Sequence, residues 1–330
     1  MARNATNKNL TNAKNQKNDE FYTMLSDIEK ELRHYKEHFK DKVVFCNCDD
    51  PRVSNFFHYF SYNFEKLGLK KLITTCYKNQ NRDLFSEHIS EKAISLEYNG
   101  DKNDDKVPNP EEIGIHHLNG DGDFRSQECI ELLKQADIVV TNPPFSLFRE
   151  YVEQLIEYNK KFLIIGTWNA ITYKEIFNLI KENKLWIGEN SNRNFSGFIV
   201  PKHYDLFGTE ARIDENGNRI VSSNNTCWFT NLDIAKRHAE LILYKKYDPE
   251  AYPTYDNYNA IEVSKTNDIP IDYNDVMGVP ITFMNKYNPD QFKILGLDDH
   301  RLIYPEWRGR GPDLNGKAIY RRIMIKNKKL

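Results

Sequence analysis

Short apolar runs alternate with amphipathic stretches over the first half of the chain. The runs that predict strands are Val43–Cys46, Leu72–Thr75, Ile138–Val140 and Phe162–Ile165. Continuous apolar strands separated by helices are typical of a parallel sheet that helices cover on both faces. Because such sheets bind ligands at the carboxyl ends of their strands, we expect functional residues directly after these runs.

Helical spacing of apolar residues predicts the elements between the strands. Apolar residues recur every three or four positions from Leu25 to Phe39, and Ser26 with Glu29 predicts a capping box in this helix. A second pattern of this kind runs from Phe148 to Tyr158. The aromatic-rich stretch from Val53 to Leu67 is also compatible with a helix.

The pattern changes near residue 185. Short β-like runs among Gly, Asn, Pro and Tyr then predict antiparallel strands and loops instead of further strand–helix units. We therefore expect an α/β protein with a doubly wound, mostly parallel sheet. Residues 19–235 are predicted to form the main domain, residues 236–330 a smaller second region, and residues 1–18 a flexible basic terminus.

Length and composition allow a substantial core. The chain has 330 residues, of which 39% are hydrophobic and 28% are charged, as in ordinary soluble enzymes. No apolar run is long enough to span a bilayer, and the polar N-terminus lacks the apolar core of a signal peptide, which predicts a cytoplasmic protein. The five cysteines are scattered and form no C-x-x-C pair, so we expect reduced thiols that bind no metal.

The net charge of −2 opposes a nucleic-acid partner unless positive charge is concentrated locally. Residues 1–18 carry four basic residues and no acidic one. The basic residues of the C-terminal segment 301–330 are Arg301, Arg308, Arg310, Lys317, Arg321, Arg322, Lys326, Lys328 and Lys329. Basic ends can present a positive face to a nucleic acid. For the N-terminal segment, a merely solubilising role is an equal alternative.

The sharpest motif is Asn142-Pro143-Pro144-Phe145, directly after the strand Ile138–Thr141. An exocyclic amine on a nucleobase is a poor nucleophile, because its lone pair is delocalised into the ring. The side-chain oxygen of Asn142 and the carbonyl of Pro143 can accept both amino hydrogens, which favours the geometry in which the lone pair points at a methyl donor. Two prolines fix φ and hold that carbonyl outward. Phe145 offers a flat face on which an extruded base can stack.

A proline-rich strand exit with a core phenylalanine is the alternative interpretation of this motif. The asparagine at the strand end and the aromatic residue in the fourth position favour the functional one. Around the motif, the sequence resembles the adenine-specific DNA methyltransferases of the EcoRI type over nearly the whole chain. The segments that carry the resemblance are Asp19–Thr23, Asn47–Phe57, Asp121–Arg125, Thr141–Arg149 and Asn225–Asp233.

The resemblance implies S-adenosylmethionine as the methyl donor and gives further residues a role. The cofactor-binding residues that it implies are Glu20, Phe21, Tyr22, Thr23, Asn47, Asp49, Asp50, Asp123 and Phe124. The first four match a motif at the methionine end of the cofactor, but they are also the lead-in to the first helix. The chain has no G-x-G loop after the first strand, where Asp49 or Asp50 can face the cofactor's ammonium group or cap a helix. The acid expected to bind the ribose hydroxyls is not assigned.

The resemblance also implies a target-recognition region after the catalytic domain, in residues 236–330, with 186–225 as a further DNA contact. Arginine can pair with guanine through two hydrogen bonds, although contacts to phosphate are more common. The candidates for this role are Arg301, Arg308, Arg310, Arg321 and Arg322.

The predicted activity is therefore site-specific methylation of adenine N6 in double-stranded DNA, with no metal and without a covalent intermediate. The resemblance implies a bacterial or phage-encoded monomer in a restriction–modification pair, in which a cognate restriction endonuclease acts on the same short site without direct contact. Two alternatives are methylation of another amino group (cytosine N4, RNA or a protein glutamine) and a binding protein that retains the fold without catalysis. Phe145 and the long resemblance favour adenine in DNA, and the intact Asn-Pro-Pro-Phe motif favours catalysis.

Overall fold

The computed structural model describes residues 21–48, 54–76, 93–105, 107–109, 111–191, 195–200, 206, 211–221, 225–297 and 312–329. The predicted terminus 1–18 and the candidate residues Glu20, Asp49, Asp50, Arg301, Arg308 and Arg310 lie outside this part of the chain. Its strands are β1 (Tyr22–Thr23), β2 (Val43–Cys46), β3 (Lys71–Thr75), β4 (Ile94–Tyr98), β5 (Ile113–His117), β6 (Ile138–Thr141), β7 (Lys161–Thr167), β8 (Trp186–Ser191), β9 (Phe198–Val200), β10 (Arg212–Ile213), β11 (Arg219–Val221), β12 (Thr226–Thr230), β13 (Ile261–Glu262), β14 (Met277–Pro280), β15 (Phe292–Leu297), β16 (Asp313–Leu314), β17 (Lys317–Ala318) and β18 (Arg322–Asn327). Its α-helices are α1 (Leu25–Leu32), α2 (Lys36–Phe39), α3 (Asn55–Tyr62), α4 (Phe64–Leu67), α5 (Gln127–Gln135), α6 (Phe148–Glu157), α7 (Lys174–Lys181) and α8 (Ala235–His238). Short 3-10 helices cover Phe145–Leu147, Trp168–Thr172, Thr266–Asp268 and Ile281–Lys286.

The described residues pack into two compact units. Unit 1 is drawn from Met1–Ala170 and Asn190–Leu232, and unit 2 from Ile171–Glu189 and Asp233–Leu330. The division thus falls close to the predicted end of the main domain at residue 235, while residues 171–189 pack with the second unit. The roles predicted for the two regions stay predictions.

The main sheet of unit 1 is mixed, with the order β5-β4-β3-β2-β6-β7-β12. The four strands expected from apolar runs, β3, β2, β6 and β7, are parallel neighbours at its centre. Every residue of β2 and β6 is buried, as strands covered on both faces require. The pairs β3–β4, β4–β5 and β7–β12 are antiparallel. The α/β class is confirmed, whereas the parallel arrangement is limited to the centre of the sheet.

The strand order reverses between β2 and β6. The chain goes from β2 outward to β3 on one side and from β6 outward to β7 on the other side. β2 and β6 pair directly, with Val44 opposite Ile138 and Phe45 opposite Val139. A crevice opens at the carboxyl ends of parallel strands where the order reverses. Asn47, after β2, and Asn142, after β6, therefore emerge side by side.

The helices of unit 1 follow the apolar spacing except at the first helix. α6 buries Phe148, Tyr151, Val152 and Leu155, which lie on one face of a helix. The capping box predicted at Ser26 is wrong: α1 already begins at Leu25 and has no side-chain cap, so the serine lies inside the first turn. The apolar pattern that runs on to Phe39 is divided between α1 and α2.

A small antiparallel sheet with the order β1-β9-β11-β10 lies in unit 1 beside the main sheet's strands. β1 pairs with β9, with Tyr22 opposite Ile199 and Thr23 opposite Phe198. This pairing joins the start of the described chain to β9, about 175 residues later in the sequence. It also brings the rings of Phe21 and Phe198 to a centroid distance of 5.8 Å.

Unit 2 contains a sheet with the order β13-β14-β18-β15 and the hairpin β16–β17. β14 and β15 both run antiparallel to β18, as predicted for this part of the chain, and Ile323, Met324 and Ile325 of β18 are fully buried. The apolar run Val279–Phe283 is strand only to Pro280 and then continues as a 3-10 helix. No helix in the described part of the chain has the length and hydropathy needed to cross a membrane.

Candidate active site

The Asn-Pro-Pro-Phe motif lies where β6 ends. Thr141 is the last residue of β6 and is fully buried, and Asn142 is only 7% exposed. Pro143 and Pro144 have no N–H to donate to a neighbouring strand, so the sheet ladder stops there. Pro144 then precedes the 3-10 helix that starts with the partly exposed Phe145. The strand exit thus turns the asparagine and the phenylalanine toward the crevice side of the sheet.

One end of the Asn142 carboxamide is bonded and the other is not. Its Nδ2 donates a hydrogen bond to the main-chain carbonyl of Phe21, at 2.6 Å. Its Oδ1 is buried and has no hydrogen-bond partner among the described residues. A buried acceptor of this kind costs free energy unless a donor reaches it. The side chain is therefore oriented to accept an N–H from a ligand.

Three aromatic rings surround this position. The ring of Phe145 stacks on that of Phe21, with a centroid distance of 5.9 Å and an interplanar angle of 14°. Phe198 meets Phe145 edge-on, at 6.1 Å and 74°. Phe198 is buried, whereas Phe21 and Phe145 are partly exposed. Flat, partly exposed rings such as these two form a surface suited to a heteroaromatic ligand.

Asn47, one of the predicted cofactor residues, links the ends of β2 and β6. The Thr141 hydroxyl donates to the main-chain oxygen of Asn47. The Tyr151 hydroxyl, on α6, donates to the side-chain Oδ1 of Asn47. Burial raises the pKa of Tyr151 well above its ordinary value, so the hydroxyl keeps its proton and remains a donor. The two central strands and α6 are thus hydrogen-bonded to one asparagine.

The backbone after Asn47 adopts a conformation that glycine usually provides. Cys48 has φ of 80°, in the left-handed region that non-glycine residues rarely adopt. The chain therefore turns after β2 although the loop that follows this strand has no G-x-G motif. α3 begins after Ser54, which makes Ser54, and neither Asp49 nor Asp50, its N-terminal cap residue.

The loop that carries Asp123 and Phe124 packs against the end of β3. Gly122 has φ of +79°, and a Cβ atom there would overlap the carbonyl oxygen of Cys76. Only glycine allows this close approach. Phe124 is buried, and its ring meets the edge of the Tyr151 ring at 5.0 Å. The loop is thereby brought to the same edge of the sheet as Asn47.

Asp123 is held in its charged form. Arg125 donates to both carboxylate oxygens, from Nε at 2.9 Å and from Nη2 at 2.6 Å. The hydrogen bonds from Arg125 hold the pKa of Asp123 below its ordinary value, against the effect of partial burial. Oδ1 also accepts the main-chain N–H of Arg125, at 2.8 Å. Oδ2 can accept a second hydrogen bond, so the side chain is still able to bind an amino group.

Four of the predicted catalytic and cofactor residues, Phe21, Asn142, Asn47 and Phe124, are joined by one series of contacts. Contacts run from Phe21 through Asn142, Thr141, Asn47 and Tyr151 to Phe124. The hydroxyl oxygen of Thr23 is a second buried polar atom that lacks a hydrogen-bond partner within the described part of the chain. Among the described residues, no group of three or more His, Cys, Asp and Glu residues is placed to hold a metal ion.

The sequence interpretation missed Tyr151, Thr141 and Phe198. Tyr151 lies on the apolar face of α6, and the hydroxyl of a buried tyrosine usually has a hydrogen-bond partner. The helical pattern therefore predicted that a partner exists, but it did not identify that partner as Asn47. Phe198 gave no signal, because its position depends on the pairing of β1 with β9. The acid for the ribose hydroxyls stays unassigned, since residues 77–92 lie outside the described residues.

The two described candidate arginines differ in their surroundings. Arg321 is exposed. Arg322 pairs through Nη2 with Glu262 at 2.6 Å, with side-chain exposures of 12% and 4%, and Tyr255 donates to the same carboxylate. Arg322 therefore stabilises unit 2 itself, and its predicted contact with DNA stays untested.

Comparison with known proteins agrees with this geometry. The family model described as "Adenine-specific methyltransferase EcoRI" matches residues 9–328. The chain is similar to the type II methyltransferase M.EcoRI of Escherichia coli, with 58% identity over 336 residues that cover 100% of this chain and 99% of the relative. It is also similar to the type II methyltransferase M.MgeORF184P of Mycoplasma genitalium, with 38% identity over 96% of this chain and 98% of the relative. A further similar protein is the type II methyltransferase M.MpnI of Mycoplasma pneumoniae, with 37% identity over 96% of this chain and 97% of the relative. No solved structure matches the chain significantly.

The family match spans nearly the whole chain, with relatives at 37% to 58% identity over 96% of the chain or more. The chain belongs to the EcoRI family of adenine-specific methyltransferases.

Proposed function

We propose that this chain transfers the methyl group of S-adenosylmethionine to N6 of an adenine that is extruded from a short recognition sequence in duplex DNA. The observation that carries the proposal is the Asn142 carboxamide, whose Nδ2 is fixed by the Phe21 carbonyl while its buried Oδ1 has no partner. A carbonyl oxygen in that state binds a donor, and the exocyclic amino group of adenine is one.

Asn142 and Pro143 act on the amino group together. Accepting one hydrogen at Oδ1 and the other at the Pro143 carbonyl holds N6 so that its lone pair points away from the ring plane. The N6 nitrogen would then bond to the methyl carbon as the carbon–sulfur bond of S-adenosylmethionine breaks, with S-adenosylhomocysteine as the leaving group. N6 would afterwards lose one proton to water, since a carboxamide is too weak a base to take it. The protein's contribution is mainly the positioning of the two reactants.

The rings of Phe145 and Phe21 supply the surface on which the base lies. An adenine stacked on Phe145 presents its amino edge to Asn142, three residues earlier in the chain. Phe21 was expected at the cofactor, but its carbonyl contacts Asn142 and its ring contacts Phe145. We therefore assign Phe21 to the base side of the site. Extrusion of the base costs a few kcal/mol of unstacking, which these aromatic contacts offset in part.

The residues at the strand ends also fit S-adenosylmethionine. Thr23 offers a buried hydroxyl oxygen without a partner, and Asn47 offers its amide NH2, because Tyr151 occupies its Oδ1. These two side chains would hold the amino-acid end, together with Glu20, Tyr22, Asp49 and Asp50 from the sequence motifs. Asp123 and Phe124 would hold the adenine ring. When bound, the cofactor supplies an electrophilic methyl group on a sulfonium sulfur, and no metal is needed for this chemistry.

The proposal extends to the fold and the partners. We assign the central strands of the main sheet to the doubly wound methyltransferase arrangement, because their order reverses between β2 and β6. Unit 2 is the candidate target-recognition region. The enzyme would be encoded by a bacterium or a phage and would act as a monomer in the cytoplasm. It would protect the sites that a cognate endonuclease cuts, and the two proteins would not contact each other.

The test is methyl transfer from tritiated S-adenosylmethionine to duplex DNA, followed by chromatography of the hydrolysed nucleosides. We expect label in N6-methyladenine and none in duplexes that lack adenine. Label in N4-methylcytosine would support the cytosine alternative, and no transfer to any substrate would support a binding protein. Mapping N6-methyladenine across the genome of cells that express the chain then identifies the recognition sequence.

A further inference from the structure

We infer that Tyr151 and Thr141 are positioning residues that hold the cofactor-facing Asn47 and the base-facing Asn142 in one fixed arrangement. The inference rests on the proposed function, because it concerns the same site. Neither residue belongs to the catalytic set expected from the sequence, and both side chains are fully buried.

Tyr151 decides which end of the Asn47 carboxamide faces the crevice. Its side chain is fully buried, and its hydroxyl donates to Asn47 Oδ1. A carboxamide is nearly symmetric in shape, so hydrogen bonds alone select between its two orientations. With the oxygen held by Tyr151, the NH2 is directed to the ligand, where it can donate to the carboxylate of an amino acid.

Thr141 connects that arrangement to the catalytic motif. Its hydroxyl donates to the main-chain oxygen of Asn47, and it is the residue directly before Asn142. The hydrogen bond therefore fixes the end of β6 against the end of β2, beyond the last paired residues Phe45 and Val139. A small shift between the two strand ends would move the Asn142 oxygen relative to the bound methyl donor.

Tyr151 also reaches the other end of the cofactor site. Its ring contacts Phe124 edge-on at 5.0 Å, and Gln154, on the same helix, donates to the Phe124 carbonyl at 3.1 Å. One helix thus supports both the residue that would pack on the cofactor's adenine and the residue that would bind its amino-acid end. The two ends of the proposed cofactor site are thereby held by one helix.

A merely structural role is the alternative for both hydroxyls, since buried polar groups need partners in any case. Tyr35 provides the matched control. It is also fully buried in unit 1, and its hydroxyl donates to Glu31 at 2.7 Å. Tyr35→Phe removes a comparable hydrogen bond with no connection to the contacts of Asn47 or Asn142. A structural role for Tyr151 would make Tyr151→Phe behave like this control.

The experiment compares Tyr151→Phe, Thr141→Val, Thr141→Ser and Tyr35→Phe in the full chain. Affinity for S-adenosylmethionine is measured by calorimetry, the transfer rate by single-turnover methylation at saturating cofactor and DNA, and stability by thermal unfolding. For Tyr151→Phe we expect cofactor affinity to fall by about tenfold, the size of one hydrogen bond in a buried site. For Thr141→Val we expect the transfer rate to fall by about tenfold with affinity unchanged. Thr141→Ser keeps the hydroxyl and should restore the rate, while Tyr35→Phe should change stability only.

Three outcomes would overturn the inference. The first is wild-type affinity in Tyr151→Phe, and the second is a wild-type transfer rate in Thr141→Val. The third is an equal loss in Thr141→Ser and Thr141→Val, which would trace the effect to packing and not to the hydroxyl. If Tyr151→Phe does not fold, the valine and serine variants of Thr141 decide the matter. A wild-type protein that binds the cofactor but methylates no adenine would instead refute the proposed function. The cofactor affinities of Tyr151→Phe and Tyr35→Phe would still test the role of Tyr151 in that case.

Discussion

Replacing Asn142 by alanine should separate catalysis from stability. The change removes the hydrogen bond from Nδ2 to the Phe21 carbonyl, which contributes about 1 kcal/mol net. It also removes the buried oxygen without a partner, which costs the native state about 1–3 kcal/mol. The free energy of unfolding of Asn142→Ala should therefore equal that of the wild type or exceed it by up to ~2 kcal/mol. The transfer rate should fall by about 100-fold or more, the usual loss when one hydrogen-bonding group is removed from a reacting centre.

Asn231 is the matched control for this experiment. Its Oδ1 accepts the N–H of Phe162 at 2.8 Å, and its Nδ2 donates to the carbonyl of Lys160 at 2.9 Å. Both ends of this carboxamide are therefore satisfied. Asn231→Ala should lower the free energy of unfolding by about 2 kcal/mol for two lost hydrogen bonds, with an unchanged transfer rate per folded molecule.

Urea unfolding gives the stabilities, and single-turnover transfer of tritiated methyl groups gives the rates. Cofactor affinity, measured by calorimetry, should be close to the wild-type value in both variants. Near-normal turnover in Asn142→Ala would show that another residue holds the amino group. A destabilisation of Asn142→Ala as large as that of Asn231→Ala would show that Asn142 is an ordinary structural asparagine, and the argument from its unpartnered oxygen would fail.

Two further predictions concern other parts of the chain. Arg322→Gln leaves the buried carboxylate of Glu262 without its ion pair and should destabilise unit 2 by about 3 kcal/mol or more. Arg321→Gln should leave the urea midpoint of unfolding unchanged and lower the salt dependence of DNA binding by about one phosphate contact. Equal stability of the two variants would refute the structural role of Arg322. Gly122→Ala forces a Cβ atom against the carbonyl oxygen of Cys76, at the end of β3. Because the loop that holds Asp123 must then move, the affinity for the cofactor, measured by calorimetry, should fall. An unchanged affinity would place that loop away from the cofactor.

The apolar pattern was sufficient to predict the centre of unit 1. β2, β3, β6 and β7 are nearly or fully buried strands, and burial on both faces leaves a continuous apolar run in the sequence that can be recognised without knowing any partner. The flanking strands were not predicted in the same way. β5 has partly exposed and exposed residues throughout, so no alternation or apolar run marks it, and its antiparallel direction follows from pairing with β4.

The proposed catalytic motif could be recognised in the sequence because its chemistry is local. The four residues from Asn142 to Phe145 are consecutive, and their residue types alone specify two acceptors and a stacking surface. The role of Phe21 could not be predicted in this way. Its carbonyl meets Asn142 across 121 positions of sequence, and its ring meets Phe198 only because β1 pairs with β9. The resemblance implied that Phe21 binds the cofactor, whereas its main-chain carbonyl contacts the side chain of Asn142.

The sequence by itself determined the central strands, the amino-methylating motif and the family, because burial periodicity and consecutive chemical groups are properties of short segments. Only the tertiary structure decided which end of the Asn142 carboxamide is left without a partner, that Tyr151 and Thr141 bind Asn47, and that Arg322 lies in an ion pair within unit 2. Each of these depends on hydrogen bonds between residues far apart in the chain. Such bonds form only when the sheet and its helices have already fixed the distance and the angle between donor and acceptor.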